Sequence, residues 1–186
     1  MTITKSSVLV LLSALYTMSF LPQIQSRVFL PMDANNFIEQ TCKQTAYYDL
    51  CTSILRSDPR SSDADVKGLT FIEVGVWEAK AKETLSHIEE LIKGSPKQDE
   101  KAALSSCANN YNAIITTDIP KAIGGLDAND FKTTEVSAED ACRKADSCAE
   151  SFSGSSPLSE MNKLVHDTAA LTATMALIML NSPFLS

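Results

Sequence analysis

The chain has 186 residues, the length of one domain of ordinary size, and 44% of them are hydrophobic. Its 16 Lys and Arg against 23 Asp and Glu give a net charge of −7 at pH 7. Nucleic acid and anionic lipid surfaces are excluded as partners, because both require clustered positive charge that this acidic chain lacks.

The first 26 residues have the layout of a secretory signal peptide. Lys5 precedes an apolar stretch of 14 residues from Val8 to Leu21, and no acidic residue occurs before residue 27. A membrane helix needs about 20 apolar residues, so an N-terminal anchor is the weaker alternative. We predict cleavage after Ser26 and a secreted domain over residues 27–186, in which disulfides form.

Residues 34–56 predict two short helices joined by a reversal of the chain. Cys42 and Cys51 lie nine residues apart. A continuous helix would separate them by roughly 13 Å, whereas a disulfide needs Cα atoms within about 7 Å. A bridge between them therefore requires an α-hairpin.

A long amphipathic helix follows the hairpin. The polar segment of residues 56–65 predicts a loop, in which Ser62 or Asp63 caps the helix. Apolar residues at spacings of three and four predict helix from about Ala64 to Lys93. Trp77 belongs to this apolar stripe and is interpreted as a core residue.

The second bundle helix is predicted to start at Ser95-Pro96, where a cap is followed by a first-turn proline. We expect Pro120 to kink this helix or to end it early, and Gly124-Gly125 to close it. A loop over residues 126–136 then leads to the third helix, which begins at Ser137 with a capping pattern.

The last helix is predicted over Leu158–Leu180 and is apolar on most sides. We interpret it as the central helix of a bundle, the alternative being a lipid-anchor signal. The chain is therefore predicted to be all-α, with an up-and-down four-helix bundle at residues 62–182 and an N-terminal α-hairpin extension at 34–56.

Five cysteines allow fifteen ways of choosing two disulfides. Cys142 and Cys148 lie about 120° apart on one helix and cannot face the same neighbour, and Cys148 is on the apolar side. We therefore favour Cys42 with Cys51 and Cys107 with Cys148, which leaves Cys142 as a free thiol. A zinc site is the alternative, but the chain has no C-x-x-C pair.

Residues for catalysis are scarce. His87 and His166 are the two histidines of the chain, and both fall in predicted amphipathic helices. The neighbouring Asp167 points about 100° away from His166. Cys142 as an odd cysteine is more often idle or a dimer bridge than a nucleophile. We expect no enzyme activity, no cofactor and no metal.

A series of short motifs runs through the mature chain. Those of the hairpin and the following loop are Ile38, Cys42, Thr45, Tyr48, Cys51, Leu55, Asp58-Pro59-x-Ser61, Asp65 and Leu69. The later ones are Leu104-x-x-Cys107-x-x-x-Tyr111, Val136-Ser137-Ala138, Cys148-x-x-x-Phe152, Ser156-Pro157-Leu158 and Asn162. In this order they resemble the plant invertase and pectin methylesterase inhibitor family over essentially the whole mature chain.

The resemblance implies a secreted bundle that inhibits a plant carbohydrate-active enzyme through a one-to-one complex. It also implies the same two disulfides, Cys42–Cys51 and Cys107–Cys148. Two partners are open, pectin methylesterase, which we favour, and acid invertase. The expected location is the cell wall or apoplast, with the vacuole as the alternative. We expect a monomer, with a dimer through Cys142 as the alternative.

The two targets imply different contact residues. Invertase inhibitors of the family insert a Pro-Lys-Phe triplet from the loop between the second and third bundle helices. The matching residues here, 127–132, lack the proline and change the order. Asp130, Phe131 and Lys132 are the candidate contacts, because a ring and a cation are retained.

Pectin methylesterase inhibitors instead lay polar helix faces across the substrate cleft. Candidate contacts on these faces are Glu73, Lys80, Glu83 and Glu90 on the first bundle helix, and Asn109, Asn112, Thr116 and Asp118 on the second. A non-inhibitory carrier of small apolar ligands is a further alternative. It requires a closed cavity on the order of several hundred Å³ lined by Leu, Met and Phe.

Overall fold

The computed structural model describes residues 33–94 and 97–182. The predicted signal peptide and the predicted helix start at Ser95-Pro96 lie outside them. The described chain forms helices and no strand. In order they are α1 (Ala34–Cys42), α2 (Tyr48–Ser57), a 3₁₀ helix (Pro59–Asp63), α3 (Val66–Lys93), α4 (Gln98–Ala113), a π-helical turn (Ile114–Asp118), α5 (Ile119–Ala128), α6 (Phe131–Glu150) and α7 (Ser159–Leu180).

Helices α3, α4, α6 and α7 form the bundle. Helix α3 packs against α4 and α7, and α6 packs against the same two neighbours, while the π turn and α5 extend α4. Successive helices are joined by short links and therefore alternate in direction. The predicted all-α up-and-down bundle with an N-terminal hairpin is confirmed.

The hairpin of α1 and α2 is held at its turn and along one side. Cys42 and Cys51 form a disulfide with Cα atoms 5.6 Å apart. The hydroxyl of Thr45 donates to the carbonyl of Cys42 at 2.9 Å. Buried Leu55 belongs to an apolar cluster shared with Leu69 of α3 and with α7. The hairpin is thus docked on the bundle through its own small core.

The bundle core contains a buried polar chain that links three helices. Cys107 of α4 and Cys148 of α6 form the second disulfide, with Cα atoms 4.6 Å apart. The hydroxyl of Tyr111 donates to Asn162 Oδ1 of α7 at 2.6 Å, and Asn162 Nδ2 lies 3.3 Å from Cys148 Sγ. Burial raises the pKa of Tyr111 well above its ordinary value, so the hydroxyl remains a donor. Both disulfides are the pairs that we favoured above.

The starts of two bundle helices differ from expectation. The segment before α3 is a 3₁₀ helix, and Asp65, rather than Ser62 or Asp63, caps α3 by accepting from the amide of Gly68. Helix α6 begins six residues earlier than the predicted Ser137, at Phe131. In both cases the aspartate directly before the helix supplies the cap.

Pro120 changes the helix without ending it. The π turn lies directly before α5, and the amide of Ile119 donates to the carbonyl of Ile114, five residues back. Because proline has no amide proton and crowds the carbonyl four residues before it, the widened turn accommodates Pro120 where a regular α-helix would not. The expected disturbance therefore takes the form of a local bulge.

Within the described residues, α7 is the helix whose length and mean hydropathy of 1.2 would suffice to cross a membrane. Half of its most apolar stretch is buried inside the fold. Its neighbours in the bundle cover this half, which fits a helix packed within the bundle better than one that crosses a membrane.

Candidate functional site

The segment predicted as an inhibitory loop is a tight corner between α5 and α6. Helix α5 continues through Gly124-Gly125 to Ala128, and α6 starts at Phe131, so only Asn129 and Asp130 connect them. The expectation of a loop over residues 126–136, opened by the two glycines, is wrong. This corner has no protruding segment.

Asn129 and Gly125 make the corner possible. Asn129 adopts a left-handed conformation with φ of 57°, and the amide of Asp130 donates to the carbonyl of Gly125 at 2.8 Å. A Cβ on Gly125 would lie 2.6 Å from Thr134 Oγ1 and 2.8 Å from the carbonyl oxygen of Asp130. The start of α6 therefore crosses α5 at a point where only glycine fits.

Gly125→Ala is expected to destabilise the fold by about 2 kcal/mol, because the new methyl group meets backbone atoms that cannot move aside. Gly124→Ala is the matched control, since nothing lies within 4 Å of a Cβ there. It should stabilise α5 by roughly 0.5–1 kcal/mol through helix propensity. Urea unfolding measures both changes, and equal shifts in one direction would contradict the close approach at Gly125.

The three candidate contacts at the corner differ in solvent exposure and in hydrogen bonding. Phe131 is 7% exposed and belongs to the bundle core, so it is not presented to a partner. Asp130 caps α6 by accepting from the amide and hydroxyl of Thr133, and these hydrogen bonds lower the pKa of its carboxyl. Lys132 is 65% exposed at its side chain and donates to Glu135. Asp130 and Lys132 are thus both exposed, and Asp130 is held by the helix cap whereas Lys132 is not.

Helix α4 and the π turn carry an exposed, uncharged row of side chains, which we name the polar strip: Asn109, Asn112 and Thr116. These positions share one face, because residues three, four and seven apart align on a helix. Asn112 Nδ2 donates to the carbonyl of Ala108 at 2.9 Å, and Thr116 Oγ1 donates to that of Asn112 at 2.7 Å. Their acceptor oxygens remain available to a partner.

Two acidic residues expected on polar faces are buried. Glu73 is 0% exposed, so its side chain cannot contact a partner in this fold. The side chain of Asp118 is only 4% exposed, and its Oδ2 forms an ion pair with Nζ of Lys144 on α6 at 2.7 Å. Both face packed helices rather than solvent. The expectation that they form part of an exposed contact surface is wrong.

The remaining α3 candidates lie at the surface. Lys80 and Glu83 pair with each other at 2.7 Å, with side chains 37% and 56% exposed. Glu90 is exposed as well, with His87 Nδ1 3.9 Å from Glu90 Oε2. An exposed pair of this kind is weak and easily rearranged by a partner.

Cys142 and His166, two of the groups considered for catalysis, lie on the neighbouring helices α6 and α7. His166 Nε2 lies 3.7 Å from Asp146 Oδ2, and His166 Nδ1 lies 3.4 Å from Asp167 Oδ1. Cys142 is a free cysteine whose Sγ donates to the carbonyl of His166 at 3.5 Å. Burial raises the pKa of the Cys142 thiol to about 12, so it is not a thiolate at physiological pH.

Two grooves on the described surface bear on the carrier hypothesis. One, of about 280 Å³ between α6 and α7, is lined by Asp146, Lys163 and His166 among others. Another, of about 340 Å³, is lined by Asp99, Glu100 and the serine-rich segment before α7. Neither is closed or lined mainly by Leu, Met and Phe. These grooves give the carrier hypothesis no support.

Known proteins share both the sequence pattern and the fold. Residues 36–179 match the family model described as plant invertase/pectin methylesterase inhibitor. The chain is 37% identical over 137 residues to cell wall / vacuolar inhibitor of fructosidase 1 of Arabidopsis thaliana, covering 74% of this chain and 66% of the relative. It is 31% identical over 120 residues to the pectinesterase inhibitor of Actinidia deliciosa, covering 64% of each.

The match thus spans slightly under two thirds of the length of these two relatives. Among solved structures, a mutant form of a pectin methylesterase inhibitor from Arabidopsis superposes with a TM-score of 0.66 at 19% identity, covering 76% of this chain and 95% of that chain. At this identity the structural likeness concerns the fold alone.

Proposed function

Because the chain belongs to the plant invertase/pectin methylesterase inhibitor family, we propose that it is a secreted inhibitor of a plant cell-wall enzyme, with pectin methylesterase as its target. It acts by one-to-one complex formation and not as an enzyme. The leader-like first 26 residues and the two disulfides support export to the apoplast or vacuole.

The observation that carries the choice of target is the polar strip on α4. Asn109 and Thr116 lie about 10 Å apart along the axis, at 1.5 Å per residue. The amide of Asn109 offers donors and an acceptor, and Thr116 Oγ1 offers an acceptor, as the hydroxyl groups of a sugar do. An enzyme that acts within a polysaccharide needs a long open cleft, and a helical face carrying such a strip can lie along it.

The corner between α5 and α6 argues in the same direction. An enzyme that cleaves a disaccharide has a short substrate site, which an inhibitor reaches with a protruding element. Here Phe131 is buried and the connection is two residues long. The accessible Lys132 is engaged with Glu135. The corner is therefore poorly suited to insertion into an invertase site.

Inhibition of acid invertase is the second candidate. The 37% identity to an inhibitor of fructosidase, higher than the 31% to the pectinesterase inhibitor, favours it. On this alternative Lys132 would be the main contact of the corner. Its contribution can be separated from folding, because its side chain is exposed and does not cap the helix.

Titration of the purified mature protein against a plant pectin methylesterase and an acid invertase tests the proposal. We expect pectin methylesterase to lose activity at micromolar inhibitor concentration or below, with an equivalence point of one inhibitor molecule per enzyme molecule. Invertase should keep its activity. If invertase alone is inhibited, and Lys132→Ala weakens this while Lys82→Ala on α3 does not, the second candidate holds. Full activity of both enzymes contradicts an inhibitory function.

A further inference from the structure

Two buried polar side chains one turn apart on α3 have no partner. Glu73 and Trp77 are both 0% exposed. Among the described residues, the two carboxyl oxygens of Glu73 have no hydrogen-bond partner. The Nε1–H of Trp77 has none either. Residues four apart on a helix are neighbours, so both groups occupy one region of the interior. Such unpaired groups are rare in protein interiors and costly.

Glu73 lies at the seam between the two apolar cores. On one side of it, Leu69 and Ile72 belong to the cluster that holds the hairpin. On the other side, Val74 and Trp77 belong to the core of the bundle. At 100° per residue, Glu73 falls between these two stripes of α3. A change in its charge therefore acts on the contact of the hairpin with the bundle.

Among the described residues, no cation compensates the carboxyl of Glu73. The charged groups on elements packed against this part of α3 are Asp49 and Arg56 on α2, Arg60 and Asp63 on the 3₁₀ helix, Asp118 in the π turn, and Lys121 and Asp127 on α5. From Thr168 to its end, α7 has no titratable side chain, and α3 itself carries Lys67, Glu78 and Lys80 nearby. None of them forms an ion pair or hydrogen bond with Glu73 in the described chain. Burial alone raises the pKa of Glu73, well above its ordinary value.

We propose that Glu73 is a proton switch for the fold: the seam between hairpin and bundle is closed while its carboxyl is protonated and loosens when the carboxyl ionises. In the unfolded chain the carboxyl ionises near pH 4.5. Below that pH both states are protonated and the stability is fully present. As the pH rises further, the unfolded state ionises while the folded state does not. The folding equilibrium constant then falls up to tenfold per pH unit until the folded carboxyl also ionises.

Urea unfolding of the mature protein between pH 4 and pH 8, compared with Glu73→Gln and Glu73→Met, tests the switch. We divide the folding equilibrium constant of each variant by that of the wild type at the same pH. This ratio should rise by up to tenfold per pH unit above about pH 4.5, because the wild-type constant falls there. Glu73→Met preserves an apolar seam of similar volume, so the comparison stands even if the buried amide of Glu73→Gln prevents folding. Profiles of wild type and Glu73→Met that run parallel over this range would overturn the proposal.

A matched control and an internal probe locate the effect. Glu83→Gln removes an exposed carboxylate from the same helix and should leave the pH profile of the wild type unchanged. Trp77 is the single tryptophan of the chain, so its fluorescence reports on the seam. In the wild type its emission should shift to longer wavelength at the pH where the fall in stability levels off, because the folded carboxyl ionises there, and in Glu73→Met it should stay constant. A wild-type emission that does not move where the fall in stability levels off would also contradict a switch at Glu73.

Discussion

Replacing Cys107 and Cys148 together by alanine is expected to lower the free energy of unfolding by about 4 kcal/mol. The bridge joins residues 41 apart in sequence. In the loop-closure description, a bridge of this span restricts the unfolded chain by about that amount. Since net stability is typically about 5–15 kcal/mol, the loss removes a large share of it. The variant should retain its helices at low temperature and unfold at much lower urea concentration.

The disulfide also belongs to the buried polar chain of the bundle. Asn162 Nδ2 contacts Cys148 Sγ, while its Oδ1 accepts from Tyr111. Removing the sulfur leaves a buried amide donor without that contact, which adds to the cost. The loss should therefore reach or exceed the value for loop closure alone.

Two control variants order the cysteines by their effect. Cys42→Ala with Cys51→Ala opens a bridge between residues nine apart, for which we expect a loss of about 3 kcal/mol. Cys142→Ala removes the half-buried free thiol and should cost about 1 kcal/mol or less. Urea unfolding under non-reducing conditions gives all three values. A loss for the hairpin pair that equals or exceeds that for Cys107 and Cys148 would contradict this order.

The bundle could be predicted because each long helix carries a sustained apolar stripe. Cys148 and Trp77 lie on these apolar stripes and are buried in the core. The family motifs contained Tyr111 and Asn162, but their spacing along the chain did not reveal that the two side chains bond to each other. That contact joins residues 51 apart in sequence. It depends on how α4 and α7 are placed by all the other packing.

Glu73 was misplaced because residue type outweighed position. A carboxylate usually lies at the surface, so it was assigned to a polar face. Yet α3 carries two apolar stripes, one through Leu69 and Ile72 and one through Val74 and Trp77, and Glu73 stands between them. A helix that packs on the hairpin and on the bundle leaves little surface at this point. The double stripe was the available signal.

The corner after α5 was misread for a similar reason. Gly124-Gly125 and the polar residues after it are typical of a loop. Gly125 instead permits a close crossing, and Thr134 and Glu135 are buried in the first turns of α6. Composition reports the average solvent exposure of a segment, whereas close packing of two helix ends depends on a single missing Cβ. Of the two candidate contact surfaces predicted from the sequence, the polar strip is therefore better suited to a partner than the corner.

Asn109→Arg combined with Thr116→Arg is expected to raise the inhibition constant for pectin methylesterase by at least 100-fold, about 3 kcal/mol. Two long cations replace short uncharged side chains at the two ends of the polar strip. They obstruct close approach, and their charges would lose water without a designed partner. Because both positions are exposed, the stability of the free protein should change by no more than about 0.5 kcal/mol.

The same chemistry placed on the hairpin provides the matched control. Asn35→Arg with Ser53→Arg adds two arginines at exposed positions of α1 and α2. This variant should inhibit as the wild type does, so any loss in the strip variant is not an effect of net charge. Inhibition curves at two salt concentrations separate contact from long-range attraction, which salt screens. Equal loss in both variants, or none in either, would remove the polar strip as the contact surface and direct attention back to Lys132.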